Sequence, residues 1–122
     1  MNNKEAKFSD LTGKTLTEIV RVNDDELIFH CNDGTSYSMY HDQGCCESVT
    51  IDDIVGELSD LLETPVLIAS EETNSNHPVQ DDSDESFTWT FFKISTIKGH
   101  VTIKWYGQSN GYYSESVDFK ML

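Results

Sequence analysis

The chain has 122 residues, and its 22 Asp and Glu residues outnumber its 8 Lys and Arg residues, which gives a formal net charge of −14. This length suits one core, so we expect a single domain over residues 1–122. The scarcity of cations excludes direct binding to nucleic-acid phosphates, which requires clustered Lys and Arg. No stretch reaches the roughly 20 apolar residues of a membrane helix, and the N-terminus lacks the apolar segment of a signal peptide. These absences predict a cytoplasmic protein without a membrane partner.

The acidic residues are unevenly distributed along the chain. No Lys or Arg occurs between Arg21 and Lys93, and this interval contains most of the carboxylates. Net charge far from zero keeps a small protein dispersed, which is the simplest interpretation. The alternative is an anionic face that binds a basic surface of another molecule. The residues assigned to this predicted acidic surface are Asp53, Glu57, Asp60, Asp81, Asp82 and Asp84.

The first third of the chain predicts a three-stranded antiparallel meander. Residues 1–14 are polar, with Phe8 and Leu11 as expected anchors, and residues 1–10 are expected to form a flexible N-terminus. Residues 15–22, 26–31 and 35–41 are rich in β-branched and aromatic side chains that alternate with polar ones, as is typical of strands. The turn between the last two strands contains Asp33-Gly34, a pair that readily supplies the positive φ angles of a hairpin.

The middle of the chain predicts one amphipathic helix over residues 52–62. Apolar residues recur there at the i, i+3, i+4 and i+7 spacing of one helical face. Residues 66–69 predict a short buried strand. Residues 71–86 are polar and acidic and cannot bury enough apolar surface to offset their ordering entropy. We therefore expect this segment to be a mobile acidic loop.

The last third contains the strongest hairpin signal. Residues 87–97 and 101–106 predict two strands joined by a two-residue turn at Lys98-Gly99. The pairs that this register predicts are Ile94 with Ile103 and Phe92 with Trp105. The alternation slips at Phe91-Phe92, which predicts a bulge or a strand covered on both faces. Residues 112–119 predict a last strand. The expected fold class is α+β: a mostly antiparallel sheet of about seven strands, with one amphipathic helix packed on it.

A first constellation of chemically active residues lies around the cysteines. Cys45 and Cys46 are adjacent, and His41 and Cys31 are the other potential ligands nearby. Structural zinc sites use paired spacings such as Cys-x2-Cys, which are absent here, and neighbouring cysteines seldom pair with each other. Buried reduced thiols are the expected state, since free cysteine behaves as a small apolar residue. The acidic segment also lacks the ligand spacing of a calcium loop, so we predict no metal, no cofactor and no catalytic residues.

A second constellation surrounds the glycine-rich turn at residues 107–111. Aromatic, amide and hydroxyl groups beside such a turn suit a small-ligand pocket, a protein interface or simply a turn flanked by core aromatics. The sequence leaves these three alternatives open. A second candidate segment lies at the end of the meander, at residues 40–43. The candidate binding residues of the two segments are Tyr40, His41, Asp42, Gln43, Lys104, Tyr106, Ser109, Asn110, Tyr112, Tyr113 and Glu115.

Several motifs together resemble a widespread family of small uncharacterised proteins encoded by tailed phages and prophages. The two most specific are YSMYHDQGCCESV at residues 37–49 and WYGQSNGYYSESV at residues 105–117, and the similarity covers about residues 10–119. Gly44 stands where the family pattern has Asp, and Lys104 stands where it has Arg. The remaining motifs lie at residues 53–58, 64–67, 88–93 and 96–103.

The resemblance implies a phage accessory protein with no assigned reaction, and small phage proteins without catalytic motifs are often counter-defence factors. The leading hypothesis is a non-enzymatic inhibitor that binds a host defence protein through its acidic surface and the exposed aromatics of the second hairpin. An alternative is a sponge for a signalling nucleotide, with Tyr106, Tyr112 and Tyr113 stacking on the base and Lys104 or Arg21 meeting phosphate. A third hypothesis is a metal- or cysteine-dependent enzyme. The aromatic hairpin also favours a homodimer.

Overall fold

A computed structural model of the chain describes residues 4–44, 46–75, 85–111 and 113–122. These residues form nine β-strands and two single-turn 3₁₀ helices, at Phe8–Leu11 and Leu58–Leu61. The strands are β1 (Lys4–Glu5), β2 (Leu16–Val22), β3 (Glu26–Cys31), β4 (Ser36–Tyr40), β5 (Ser48–Val55), β6 (Ile68–Asn74), β7 (Ser86–Thr96), β8 (Gly99–Ser109) and β9 (Asp118–Met121). The predicted α+β class is wrong, because the described part of the chain is nearly all antiparallel β and contains no α-helix.

The strands form two antiparallel sheets that enclose one core. Sheet 1 has the order β1-β9-β4-β3-β2, and sheet 2 has the order β5-β8-β7-β6. Trp105 of sheet 2 donates a hydrogen bond from its Nε1 to the Sδ of Met39 in sheet 1, at 3.1 Å. Phe8 lies between the sheets, with its ring centroid 5.0 Å from Phe92 and 5.6 Å from Phe119. Burial of these aromatic side chains from both sheets is the main stabilising contribution that the fold displays.

The predicted meander is present as β2, β3 and β4. Leu27 and Phe29 of β3 point into the core, and the residues between them are half-buried, as expected for a strand with one covered face. Asn23 and Gly34 lie in the two connecting turns with positive φ angles of 56° and 88°, which Asn and Gly adopt most readily. Local signals in the strands and turns were therefore enough to predict this part of the fold from the sequence.

The predicted helix at residues 52–62 is instead the end of β5 followed by a 3₁₀ turn. Ile51 pairs with Trp105 and Ile54 with Ile103, and a register shift between Ile51 and Asp53 inserts one extra residue. This bulge brings Ile51 and Ile54, three residues apart, onto the inner face of the sheet. Gly56 then adopts a φ of 106°, which ends any helical path. The bulge in β5 therefore gives its inward-facing residues the same spacing as the apolar face of a helix.

The predicted long hairpin exists, but its register differs by two residues. Thr96 pairs with Gly99, so the two-residue turn is at residues 97–98. Phe92 consequently pairs with Ile103 and Ile94 with Val101, and no bulge interrupts β7. The apparent slip at Phe91-Phe92 arises because aromatic side chains occupy both faces of β7: Phe92 is buried in the core, and Phe91 is half-buried on the other face.

Other segment boundaries also differ from expectation. Lys4–Glu5 is a strand paired with β9, and Phe8 is buried, as expected for an anchor of the N-terminal segment. The expected acidic loop begins later, since residues 71–74 belong to β6 and Ser86 begins β7. The last strand is Asp118–Met121 and not residues 112–119. In the described ranges, no helix has the length and apolar character needed to cross a membrane.

Candidate binding site

The segment of residues 113–117 crosses the inner face of sheet 2 at its open end. Small residues of β7 and β8 make room for this crossing, and Gly107 is the closest of them. A Cβ atom at Gly107 would lie 2.6 Å from the carbonyl oxygen of Glu115 and 3.0 Å from its Cβ. No real Cβ tolerates the shorter distance, so the glycine is needed for the close approach of the two backbones. The crossing segment thereby closes one end of the molecule.

Glu115 is held in this crossing by two hydroxyl groups. Thr88 Oγ1 donates to Oε1 of Glu115 at 2.8 Å, and Ser109 Oγ donates to Oε2 at 2.5 Å. Ser109 also accepts a hydrogen bond of 3.0 Å from the backbone N–H of Gly111, which orders the glycine-rich turn. The carboxylate is thus fixed from the ends of two neighbouring strands.

His41 connects the crossing segment to the loop that follows β4. Its Nδ1 lies 2.7 Å from the carbonyl oxygen of Ser116, and its Nε2 lies 2.9 Å from Oε2 of Glu47. The backbone N–H of Gly44 donates to the same Glu47 oxygen at 2.7 Å. The hydrogen bond from His41 and then that from Gly44 lower the pKa of Glu47, because both favour the ionised carboxylate. Both ring nitrogens of His41 are therefore occupied by structural contacts.

Side-chain hydrogen bonds also hold the rest of the loop around His41. Gln43 imitates a strand neighbour: its Nε2 donates to the carbonyl oxygen of Val49 at 2.7 Å, and its Oε1 accepts from the N–H of Val49 at 3.1 Å. Cys46 is disulfide-bonded, so the expectation of reduced thiols is wrong for this residue. Cys31 is a free thiol in the core, and burial raises its pKa. No group of three or more potential metal ligands occurs among the described residues.

Three surface cavities follow one another along residues 115–120. The first, of about 420 Å³, is lined by Thr73, Thr88, Glu115 and Ser116, among others. The next, of about 170 Å³, includes Val117, and the last, of about 400 Å³, includes His41. Tyr40 lines both the second and the third cavity, and Ser116 and Val117 are consecutive in the chain. We refer to these three cavities together as the acidic groove.

Carboxylates from distant parts of the sequence converge on the acidic groove. The second and third cavities are lined by Glu5, Asp25, Glu26, Asp42, Glu71 and Asp118, whereas Lys120 is the one cationic side chain among their described lining residues. Burial raises the pKa of Tyr40, and the carboxylates of Asp118, Asp42, Glu5 and Glu26 raise it further. Lys120 lies over the ring of Tyr40, with its Nζ 4.5 Å from the ring centroid. The field in the groove is negative.

A second surface feature is the outer face of sheet 2. Phe87, Trp89 and Phe91 of β7 are half-buried there beside Tyr106 of β8, and we call these four residues the aromatic ribbon. Trp89 stacks on Phe91 with centroids 6.0 Å apart, and Tyr106 contacts Trp89 edge to face at 4.8 Å. Lys104 pairs across the strands with Phe91, so its side chain belongs to the same face.

The structure distributes the predicted binding residues over these surfaces. Glu115 lines the first cavity, as does the half-exposed Tyr113, and Ser109 is buried beneath Glu115. The residues that line the third cavity are Tyr40, His41, Asp42 and Gln43. Lys104 and Tyr106 are on the outer face of sheet 2, and Asn110 is exposed in the turn. Tyr112 lies outside the described residues.

The predicted acidic surface is only partly present as one unit. Asp53 and Glu57 are exposed, but Asp60 is half-buried and its Oδ2 would lie 2.8 Å from a Cβ at Gly99. Asp81, Asp82 and Asp84 lie outside the described residues. The carboxylates that the fold gathers, such as Glu71 and Asp118, were not singled out by the sequence. No local signal could have found them, because their proximity depends on the pairing of distant strands.

Comparison with known proteins places the chain in a family. The sequence model of one family matches residues 9–119, which is most of the chain. The chain belongs to the domain of unknown function DUF7448. No curated protein matches the chain, and no solved structure matches it. The DUF7448 match spans the crossing segment, the His41 loop and the aromatic ribbon, and of the described lining residues of the groove only Glu5, Ala6 and Lys120 lie outside it.

Proposed function

We propose that this DUF7448 protein is a non-enzymatic inhibitor, encoded by a phage, that binds a basic surface of a host defence protein through the acidic groove. The observation that supports the proposal is the convergence of six carboxylates around Tyr40, from sequence positions as far apart as Glu5 and Asp118. On this proposal the protein acts in the cytoplasm of the infected host cell. On this proposal the protein acts by binding its partner and catalyses no reaction.

Electrostatics favours this mode of binding. The net charge of −14 attracts a basic partner over a distance, and a concave surface of one charge sign concentrates the field. A partner that supplies Lys or Arg side chains to the groove would relieve the repulsion between neighbouring carboxylates. Burial raises the pKa of Glu71, and the charge of Asp118 raises it further, so repulsion by Asp118 adds to the cost of desolvating this carboxylate.

The aromatic ribbon contributes a second, apolar contact in this proposal. Half-buried Trp and Phe side chains on an open sheet face resemble the anchors of protein interfaces, where large rigid rings provide most of the contact energy. The same face could pair two copies of the chain, and analytical ultracentrifugation would detect such a homodimer. A Trp89→Ala variant that stays monomeric where the wild type dimerises would assign the contact to the ribbon.

The test of the groove compares two variants with the same change in charge. The groove variant carries Asp42→Asn, Glu71→Gln and Asp118→Asn, and the control variant carries Glu18→Gln, Asp53→Asn and Glu57→Gln; all six residues are exposed. Each protein is immobilised and exposed to lysate of a bacterial host at about 0.05 M and about 0.5 M salt, since salt screens charges over a few ångströms at high concentration. Retained proteins are identified by mass spectrometry.

The expected result is a host protein that the wild type and the control variant retain at low salt. The groove variant should lose at least about tenfold in affinity for it, which corresponds to about 1.4 kcal/mol. Equal retention by the groove and control variants would refute the proposal, and so would retention that is insensitive to salt.

A second candidate function is sequestration of a nucleotide on the outer face of sheet 2. Lys104 and Tyr106 share this face with Trp89. The face therefore offers aromatic rings for stacking on a base and one cation for a phosphate. The other cation on the face, Lys93, lies 3.6 Å from Glu72. A thermal-shift screen against cyclic and linear nucleotides tests this candidate, because a ligand that binds the folded state raises the melting temperature. A shift that Lys104→Ala abolishes would favour it over the groove.

A further inference from the structure

The first cavity of the acidic groove has a composition of its own. Hydroxyl-bearing side chains of β6 and β7, including Thr73, Ser86 and Thr88, line it together with Gly111 and Tyr113. Glu115 is the one carboxylate among its described lining residues, and none of them is cationic. As far as the described residues show, this cavity is therefore a polar pocket with a single negative charge, unlike the second and third cavities.

The charge in this pocket is held in a fixed position. Thr88 and Ser109 donate to different oxygens of Glu115, at 2.8 Å and 2.5 Å. A carboxylate oxygen can accept more than one hydrogen bond, and Thr88 and Ser109 already donate their hydroxyl hydrogens to Glu115. Glu115 is consequently a positioned acceptor in the pocket, and it loses little side-chain entropy when a ligand binds.

We propose that this pocket is a recognition subsite for a guanidinium group, namely the side chain of an arginine in the partner protein. A guanidinium has five donors and a plane that matches a carboxylate, whereas an ammonium is a compact charge that is more strongly hydrated. Tyr113 lines the same pocket and is 42% exposed, and a guanidinium plane is attracted to an aromatic ring. The subsite rests on the proposed function, since it specifies one contact of the partner in the groove.

The test uses the intact protein and small probes. N-acetyl-arginine N-methylamide is titrated into ¹⁵N-labelled protein, and chemical shifts of Gly111, Tyr113 and Ser116 are followed by NMR. The citrulline analogue, which has the same shape without the charge, should bind at least about tenfold more weakly, and the lysine analogue should bind severalfold more weakly. Glu115→Gln should also lose at least about tenfold in affinity for the arginine probe. Glu18→Gln, which removes an exposed charge elsewhere, should bind it as the wild type does.

Tyr113→Ala provides a second variant at the rim, should Glu115→Gln disturb the crossing segment. This variant should bind the arginine probe severalfold more weakly, and the NMR signals of sheet 1 should stay unchanged. Equal binding of the arginine and citrulline probes would overturn the subsite. Tighter binding of free agmatine than of the blocked arginine would assign the pocket to a small amine and not to a partner's arginine. Binding of a host protein without any binding of the arginine probe would overturn the subsite alone, whereas the reverse result would overturn only the proposed function.

Discussion

The contact between His41 and Glu47 makes the stability of the protein depend on pH. Both side chains are nearly inaccessible, at 4% and 5% exposure, and their hydrogen bond lowers the pKa of Glu47 from its ordinary 4.5. A carboxyl with a lowered pKa in the folded state stabilises the fold above its unfolded pKa, and this contribution is lost as the pH falls through the folded value. Acid should therefore destabilise the fold through this residue.

The prediction is that Glu47→Gln removes part of the acid sensitivity. The melting temperature of the wild type should fall between about pH 6 and about pH 3, and the variant should start lower and fall less. Differential scanning calorimetry across this range measures both curves. The melting temperature of Glu18→Gln should change with pH as that of the wild type does. If the melting temperature of Glu47→Gln fell as steeply as that of the wild type, the assignment would be wrong.

Individual site residues were partly visible in the sequence, but their roles were not. His41, Gln43 and Glu115 were candidate binding residues, whereas the structure gives His41 and Gln43 hydrogen bonds that hold one loop. Thr88, the partner of Glu115, was not singled out, because the two are 27 residues apart in the chain. The type of a side chain suggests what it can bind, but only the fold shows whether its hydrogen-bonding groups already have a partner within the protein.

Among the individual elements, β5 is the one most easily mistaken for a helix. Its bulge imposes a spacing of three between inward residues, which periodicity alone cannot distinguish from a helical turn. Gly56 separates the two possibilities, since glycine is tolerated at a cost in a helix but is needed at a φ of 106°.

Gly56→Ala should therefore destabilise the protein. In a helix the substitution would stabilise by about 1 kcal/mol. Here the new Cβ would lie 2.6 Å from the carbonyl oxygen of His100, and with the strained φ the expected loss is about 1–3 kcal/mol. Urea denaturation measures the difference. Thr102→Ala on the neighbouring strand should change stability by less than about 0.5 kcal/mol, and a gain in stability for Gly56→Ala would indicate a helix.

At the scale of the whole molecule, the N-terminal segment connects the two sheets. Phe8 is 1% exposed and contacts Phe92 in sheet 2 as well as Phe29 and Phe119 in sheet 1. The sequence indicated Phe8 as an anchor, but a single aromatic residue in a polar stretch gives no periodic signal that tells which strands it contacts. The pairing of the meander was predictable from local turns, but the insertion of β9 between β1 and β4 was not.

Phe8→Ala should cost about 3–5 kcal/mol of unfolding free energy, the usual penalty for emptying a large core position. The same substitution at Phe87, which stacks on Tyr106 at 6.0 Å on the outer face, should cost less than half as much. Chemical denaturation of both variants provides the comparison. Similar losses for the two would mean that Phe8 does not join the sheets.

The position of β9 in sheet 1 also affects the order in which the two sheets can form. All four strands of sheet 2 lie between Ser48 and Ser109 and pair only with one another. Sheet 1 has to wait for β9, which joins β1 and β4 through contacts of very long sequence separation, the kind that form slowly. The crossing segment and Asp118, which form the floor of the acidic groove, dock in the same step. The binding surface is therefore completed only when this long-range pairing of β9 forms.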